Sequence, residues 1–203
     1  MEGEKALKVE ARKAPATFAL VVINVVVFFA LSFFGRTEDA TYMIRHGAVY
    51  LPLMEETGQF YQFFTSIFLH FGFQHLMNNM LMLIVMGIVL EPELGTIKYL
   101  ILYIVSGLGG NLISAGFETI TGEYSVSAGA SGAIFGVVGG LIYLAILGRG
   151  RIGNLTERGL IFLVLMNIYY GVTSTGIDNM AHIGGLIAGF VMAVILYRKP
   201  RRF

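Results

Sequence analysis

The sequence has no cysteine among its 203 residues. This absence excludes disulfide bonds, thiolate metal sites and a cysteine nucleophile. Any chemistry must therefore come from Ser, His, Asp, Glu, Asn or Tyr side chains.

Charged residues are also scarce. Asp, Glu, Lys and Arg make up 13% of the chain, against roughly a quarter in soluble proteins. The net charge is only +1, so we expect neither a basic face for nucleic acid nor an acidic disordered tail. Hydrophobic residues make up 56% of the chain, which indicates that lipid is its main solvent.

Long apolar runs dominate what is present. A helix needs about 20 mostly apolar residues to cross the hydrocarbon core of a bilayer. Six segments reach or approach that length, and they run approximately over Thr17–Phe34, Gly72–Leu90, Thr96–Phe117, Ser131–Leu147, Gly159–Val172 and Met180–Tyr197. The first follows a basic stretch but is long for a signal peptide, so we expect it to be retained. The sequence predicts an all-α, polytopic membrane protein with six transmembrane helices.

The connecting segments suggest one membrane domain over residues 17–197, between an N-terminal segment (1–16) and a basic tail (198–203). A long loop covers residues 35–71, and loops of this length are usually functional or partly structured. Cytoplasmic segments carry an excess of Lys and Arg. All of these residues except Arg36 and Arg45 fall on one side of the six spans. We therefore expect both termini in the cytoplasm, the long loop outside, and a location in the plasma membrane.

Strongly polar residues inside the spans form a small set. Such groups are costly in hydrocarbon and are functional candidates by default. They are His75, Asn78, Asn79, Ser127, Ser131 and His182. They lie near the starts of the second, fourth and sixth spans, so we expect them at similar depth near the outer face, where water can reach them.

Ser131 follows the glycine-rich stretch Ser127-Ala128-Gly129-Ala130 and opens the fourth helix. The unpaired N–H groups of a helix N-terminus are suited to bind a developing oxyanion. An isolated serine here would more often be an N-cap or a small packing residue.

His182 favours a catalytic role for Ser131 over a structural one. It shares a helix face with Gly185 and Gly189, and the fourth span carries a matching stripe of Gly132, Gly136 and Gly140. Packing of these two stripes would bring His182 within reach of Ser131 as a nucleophile–base pair. Taken alone, the histidine is equally consistent with an interhelical hydrogen bond.

His75 and Asn79 lie four residues apart on one face of the second span. Both side chains can donate hydrogen bonds, so they fit an oxyanion hole. The alternative is that they satisfy each other or a neighbouring carbonyl. Asn78 lies off this face, and we expect it to be structural.

The combined motifs resemble those of the rhomboid family of intramembrane serine proteases. Gly129-Ala130-Ser131-Gly132 is similar to the family's G-x-S-G, His75 to Asn79 to H-x-x-x-N, and Ala181-His182 through Gly189 to A-H-x-x-G-x-x-x-G. Glu91 and Gly95 after the second span, and the long loop before it, extend the resemblance over nearly the whole chain.

The resemblance implies a six-helix bundle that cleaves transmembrane segments of other proteins with a Ser–His dyad and no metal or cofactor. Ser131 would form an acyl-enzyme, with His182 as base and then acid. His75, Asn79 and the Ser131 backbone N–H would hold the oxyanion. Phe135 occupies a position where the family often has an aromatic ring against the histidine.

The sequence also departs from the family pattern. Many relatives have a Trp-Arg pair in the long loop, whereas the nearest stretch here is Gln59-Phe60-Tyr61-Gln62-Phe63. His70 matches a frequent histidine, for which we expect interfacial packing. Asp178 lies four residues before His182, but the family manages without a triad acid, so we expect a dyad.

Other functions fit less well. A non-catalytic protein that binds membrane helices would normally lose the serine or the histidine, and this chain keeps both. A transporter would place its polar residues nearer the middle of the membrane, and a zinc protease would need an H-E-x-x-H motif, which is absent. For a protease of this kind, we expect a preference for substrate helices that unwind easily.

Overall fold

The computed structural model describes residues 12–174 and 176–197. Each of the six predicted spans is confirmed as a helix, with ends that differ by at most four residues. The six helices are α1 (Pro15–Phe34), α5 (Gly72–Leu94), α6 (Thr96–Thr121), α7 (Ser131–Leu147), α8 (Glu157–Thr173) and α9 (Asn179–Leu196). The predicted tail, residues 198–203, and most of the predicted N-terminal segment lie outside the described residues.

Four of these helices, namely α1, α5, α6 and α9, are long and apolar enough to cross a membrane. Helix α7 is apolar but has 17 residues, as does α8. Large apolar side chains such as Phe29, Phe33, Phe162 and Ile195 are exposed on the outside of the bundle. An exterior of this kind is suited to lipid, because an apolar side chain loses nothing by facing the acyl chains.

Helix α7 lies at the centre of the bundle. Most of its residues are buried on every side of the helix, as expected of a helix that is apolar all round. The most extensive helix contacts join α9 to α7 and to α6, followed by α6 with α7. Helix α8 packs less extensively, against α7 and the edge of α9. The fold thus places α7 and α9, which carry Ser131 and His182, in its most closely packed region.

The long loop is partly structured, as expected. It contains the short helices α2 (Ala40–Arg45), α3 (Leu51–Thr57) and α4 (Gln62–Thr65) and a 3-10 turn, Ser66–Phe68. Val49 and Ser127 exchange two backbone hydrogen bonds of 2.9 Å. The Asn111 amide on α6 donates to the Phe63 carbonyl at 2.7 Å. These bonds anchor the loop beside the segment that leads to Ser131.

A buried carboxylate joins α1 to α5. Glu91 is fully buried and accepts hydrogen bonds from the Ala16 and Thr17 backbone N–H groups at 2.9 and 2.8 Å. The Thr17 and Thr96 hydroxyls also donate to it. The first N–H groups of a helix lack intrahelical acceptors and carry partial positive charge. Glu91 therefore caps the start of α1 from a neighbouring helix.

A small hairpin connects α7 to α8. Its strands, β1 (Arg151–Ile152) and β2 (Leu155–Thr156), pair antiparallel. The Thr156 hydroxyl then accepts from the Gly159 N–H at 3.1 Å and caps α8. The hairpin lies at the end of α7 remote from Ser131.

Candidate active site

Ser131 is the first residue of α7, and it directly follows Gly129 and Ala130. Gly129 has φ +153°, in a region that favours glycine. Ala130 is the N-cap residue, and it makes no side-chain capping bond. The N–H groups of the first turn of α7 consequently lack intrahelical acceptors, and among the described residues the N-cap position supplies no capping side chain. Ser131 is half-buried at the rim of this turn.

Backbone contact between α7 and α9 depends on glycine. A Cβ atom on Gly185 would collide with the Gly132 carbonyl oxygen, and one on Gly189 would collide with the backbone of Gly136. The two helices therefore approach more closely than any other residue would permit. The predicted stripe is wrong at Gly140, which faces Leu90 and Leu102 rather than α9.

This approach places the His182 ring against α7. The ring stacks on Phe135, with centroids 4.3 Å apart and planes 7° from parallel. Phe135 lies four residues after Ser131 and so shares its face of the helix. His182 is 8% exposed, and its Nδ1 atom has no hydrogen-bond partner among the described residues. One face of the base candidate is thus held by packing against Phe135.

His75 reaches the same turn from α5. A Cβ atom built on Gly129 would lie 3.1 Å from His75 Nε2 and 3.5 Å from Ser131 Oγ. Gly129 therefore leaves a space in which both side chains converge. A methyl group there would push against the imidazole, so the absence of a side chain has a direct steric reason.

Asn79 and Asn78 differ as expected from their helix faces. Asn79 is 6% exposed, and its amide donates to the His75 carbonyl at 3.0 Å. That bond is the local alternative considered above, and it leaves the second amide hydrogen for another acceptor. Asn78 is exposed on the outside of α5.

His70 packs behind His75. Its ring is 1% exposed and lies 5.3 Å from the His75 ring in an edge-to-face arrangement. Burial, with a smaller contribution from the nearby His75, lowers the pKa of His70 from 6.5 to about 3. The ring is therefore neutral at physiological pH, and it presents an uncharged neighbour to His75.

The hydrogen bonds of Asp178 do not favour a role as the acid of a catalytic triad. It caps α9 by accepting the Ala181 N–H at 2.8 Å. It also accepts the hydroxyls of Ser127 at 2.8 Å and of Ser114 at 2.7 and 2.8 Å to its two oxygens. Its hydrogen bonds thus go to three groups other than the imidazole of His182.

Helix α6 contributes residues that were not predicted from the sequence. Ser114 binds Asp178, and a Cβ atom on Gly110 would lie 2.5 Å from the Ala181 carbonyl oxygen next to His182. The run Gly107-Leu108-Gly109-Gly110 was the available signal, because clustered small residues mark close helix approach. This run lies in the third span, which contributes no residue to the polar set predicted from the sequence.

Comparison with known proteins identifies the family of this chain. The family model for the Rhomboid domain matches residues 57–199, which include all the candidate site residues. The chain belongs to the rhomboid family. It is therefore a helical, multi-pass integral membrane protein.

Relatives of this rhomboid come from bacteria and plants. Rhomboid protease GluP of Bacillus subtilis is 33% identical over 91% of this chain and 35% of its own length. RHOMBOID-like protein 5 of Arabidopsis thaliana is 38% identical over 76% of this chain and 50% of its own length. The mitochondrial RHOMBOID-like protein 6 of Arabidopsis thaliana is 35% identical over 68% of this chain and 44% of its own length. The chain thus spans between a third and a half of these relatives.

Proposed function

We propose that this rhomboid is an intramembrane serine endopeptidase that cleaves transmembrane segments of membrane-protein substrates. Ser131 is the nucleophile, and His182 is the general base and then the general acid. His75, Asn79 and the backbone N–H of Ser131 stabilise the oxyanion.

One observation carries the proposal. The His182 ring stacks on Phe135, one helical turn after the residue that opens α7. A helix rises about 5.4 Å per turn, so the imidazole packs on the face of α7 that carries Ser131, about one turn along the helix from it. A serine next to a histidine base at a helix N-terminus is an arrangement suited to acyl transfer.

The reaction uses the two side chains in sequence. His182 takes the hydroxyl proton as Ser131 Oγ attacks the scissile carbonyl carbon. The carbon–nitrogen bond then breaks, and the amine leaves with the proton from His182. A water molecule, deprotonated by the same histidine, hydrolyses the ester and restores Ser131.

Oxyanion stabilisation is supported by convergence at Gly129. The His75 imidazole and the Ser131 hydroxyl both approach this glycine, and the free N–H groups of α7 lie beside it. The Asn79 amide keeps one hydrogen after its bond to the His75 carbonyl. Such donors act strongly because they are fixed before negative charge develops.

The site also supports a topology and a substrate class. His75, Ser131 and His182 all lie within the first four residues of their helices, at one end of the bundle. With both termini in the cytoplasm of a plasma-membrane protein, that end faces outward, where water is available. An intact helix hides its carbonyls, so segments containing Gly or Pro should be cleaved faster than polyleucine.

Reconstitution tests the proposal. Wild type, Ser131→Ala and His182→Ala are placed in liposomes with a labelled transmembrane substrate that contains Gly and Pro, and products are identified by mass spectrometry. The wild type should cleave, whereas both variants should be inactive and retain the wild-type melting temperature within a few degrees. Ser32→Ala and His46→Ala change exposed residues and should cleave at the wild-type rate.

Two results would overturn it. Cleavage by folded Ser131→Ala at the wild-type rate would remove Ser131 from the mechanism. A wild type that binds transmembrane helices without cutting any would instead support the non-catalytic, helix-binding alternative.

A further inference from the structure

The Asp178 carboxylate, four residues before His182, is hydrogen-bonded to three separate elements. Asp178 accepts the Ser114 hydroxyl of α6, the Ser127 hydroxyl of the segment before α7, and the Ala181 N–H of α9. The bonds are 2.7–2.8 Å long, in the range of charge-assisted hydrogen bonds.

The hydrogen-bonded residues have the same spacing from the two members of the proposed dyad. Ser127 lies four residues before Ser131, and Asp178 lies four residues before His182. The Ser127–Asp178 bond therefore joins the segment that enters the nucleophile to the segment that enters the base. Ser114 fixes the same carboxylate to α6, which also packs against Ala181 through Gly110.

We propose that Asp178 is a positioning residue, which sets the separation of Ser131 and His182 by holding Ser127 and Ser114 to the start of α9. This inference rests on the proposed function. Among the described residues, the Asp178 side chain is hydrogen-bonded to two hydroxyls and one backbone N–H, and no hydrogen bond joins it to the imidazole Nδ1 atom.

The turn that leads to Ser131 must be held rigidly for the nucleophile to keep its position. The glycine contacts fix α7 against α9 along their length, but the turn 127–130 contains Gly129 at a positive φ and needs its own restraint. Val49 and Ser66 supply part of that restraint through backbone hydrogen bonds to Ser127 and Gly129. The hydrogen bond between Ser127 and Asp178 ties the turn directly to α9, the helix that carries the base. A displacement of about 1 Å between reacting groups can cost roughly a hundredfold in rate.

Ser127 is the better residue for a test, because its replacement leaves the cap of α9 intact. Ser127→Ala should lower kcat by about tenfold and leave KM within about twofold, because substrate binding does not involve this bond. Ser127→Thr retains the hydroxyl and should restore kcat to near the wild-type value.

A matched control lies two residues away. The Ser125 hydroxyl donates to the Glu118 carboxylate at 2.6 Å, so Ser125→Ala breaks the same kind of bond in the same loop but not a bond to α9. It should keep wild-type kcat. An equal loss in Ser125→Ala and Ser127→Ala would overturn the proposal, because general loosening of the loop would then explain both.

A double-mutant cycle provides the decisive comparison. Asp178→Asn keeps an oxygen to cap α9 and should retain more activity than Asp178→Ala. If the bond acts as proposed, Ser127→Ala should cost little further kcat in the Asp178→Ala background. A folded Ser127→Ala with wild-type kcat, or fully additive losses, would overturn the role of Asp178 while leaving the Ser131–His182 dyad in place.

Melting temperatures test the role of Asp178 if the protein proves not to be a protease. If the wild type cuts no substrate, the proposed function falls, and the link is judged from melting temperatures of the same cycle. Non-additive losses for Ser127→Ala and Asp178→Ala would support the bond as a restraint. Additive losses would overturn it.

Discussion

The imidazole of His182 and the ring of Phe135 lie 4.3 Å apart and within 7° of parallel. Phe135 is 4% exposed, so its own orientation is fixed by the core around α7. A face-to-face contact of this kind leaves the ring nitrogens at the edges of the stack. The aromatic residue therefore orients the proposed base in place of the acid found in a catalytic triad.

Phe135→Leu should lower kcat more than it raises KM. Leucine fills most of the volume but provides no flat surface, so the imidazole can rotate away from Ser131. We expect a loss in kcat of about tenfold and a loss of stability of about 1–3 kcal/mol. Steady-state cleavage kinetics and thermal melting measure the two effects. Phe33→Leu, which changes an exposed ring, should alter neither.

Gly189→Ala should destabilise the protein. Its new Cβ atom would collide with the backbone of Gly136, and overpacking typically costs about 1–3 kcal/mol. The melting temperature in detergent should fall, and activity should fall with it because α9 carries His182.

Gly116→Ala is the matched control for Gly189→Ala. A Cβ atom on Gly116, within α6, would have nothing within 4 Å. Because alanine favours the helix over glycine by roughly 0.5–1 kcal/mol, this variant should melt at or above the wild-type temperature. Equal effects of the two substitutions would contradict the inferred contact between α7 and α9.

Glu91→Gln should lower the melting temperature. The amide keeps one acceptor oxygen but turns an NH₂ group towards donors, and each buried group left unpaired costs about 1–3 kcal/mol. Glu93→Gln, at an exposed position on the same helix, should melt like the wild type. No difference between the two variants would show that Glu91 contributes nothing to holding α1.

His70 should make stability depend on pH. Burial lowers its pKa from 6.5 to about 3, so the unfolded chain binds a proton over this interval and the folded chain does not. The contribution of His70 is therefore fully present above about pH 6.5 and is lost progressively as the pH falls towards 3. His70→Gln should melt with a weaker dependence on pH between about 7.5 and 4.5.

The comparison is made between His70→Gln and the wild type, melted over the same pH range. An unchanged dependence in His70→Gln would mean that His70 is not held neutral by the fold.

The helices could be predicted because a membrane helix must be apolar along its whole length. The ends of Ser131–Leu147 agree with the prediction, whereas Gly72–Leu90 continues to Leu94 through Glu91 and Pro92. A carboxylate and a proline normally indicate the end of a span. Here Glu91 accepts hydrogen bonds from four donors, three of which lie in α1, 74 or 75 residues away in sequence. No local pattern reveals such distant partners.

The contacts between helices were less predictable. Helical periodicity identified Gly132 and Gly136 as partners of Gly185 and Gly189, because one face repeats every three to four residues. It failed at Gly140, since by that point the helix has turned towards Leu90 and Leu102. The partners of Asp178 were also missed, because Ser114 is 64 residues away in the sequence. Hydroxyls of this kind are abundant, and only their positions in the fold single them out.

Covalent labelling of Ser131 tests the central claim most directly. A fluorophosphonate reacts with an activated serine: the oxygen–phosphorus bond forms, fluoride leaves, and the base takes the hydroxyl proton. Peptide mass spectrometry of the folded wild type should find the label on Ser131, and His182→Ala should remove it while Ser32→Ala does not. Label on another serine, or an equal rate in folded His182→Ala, would contradict the assignment of Ser131 and His182 as a catalytic pair.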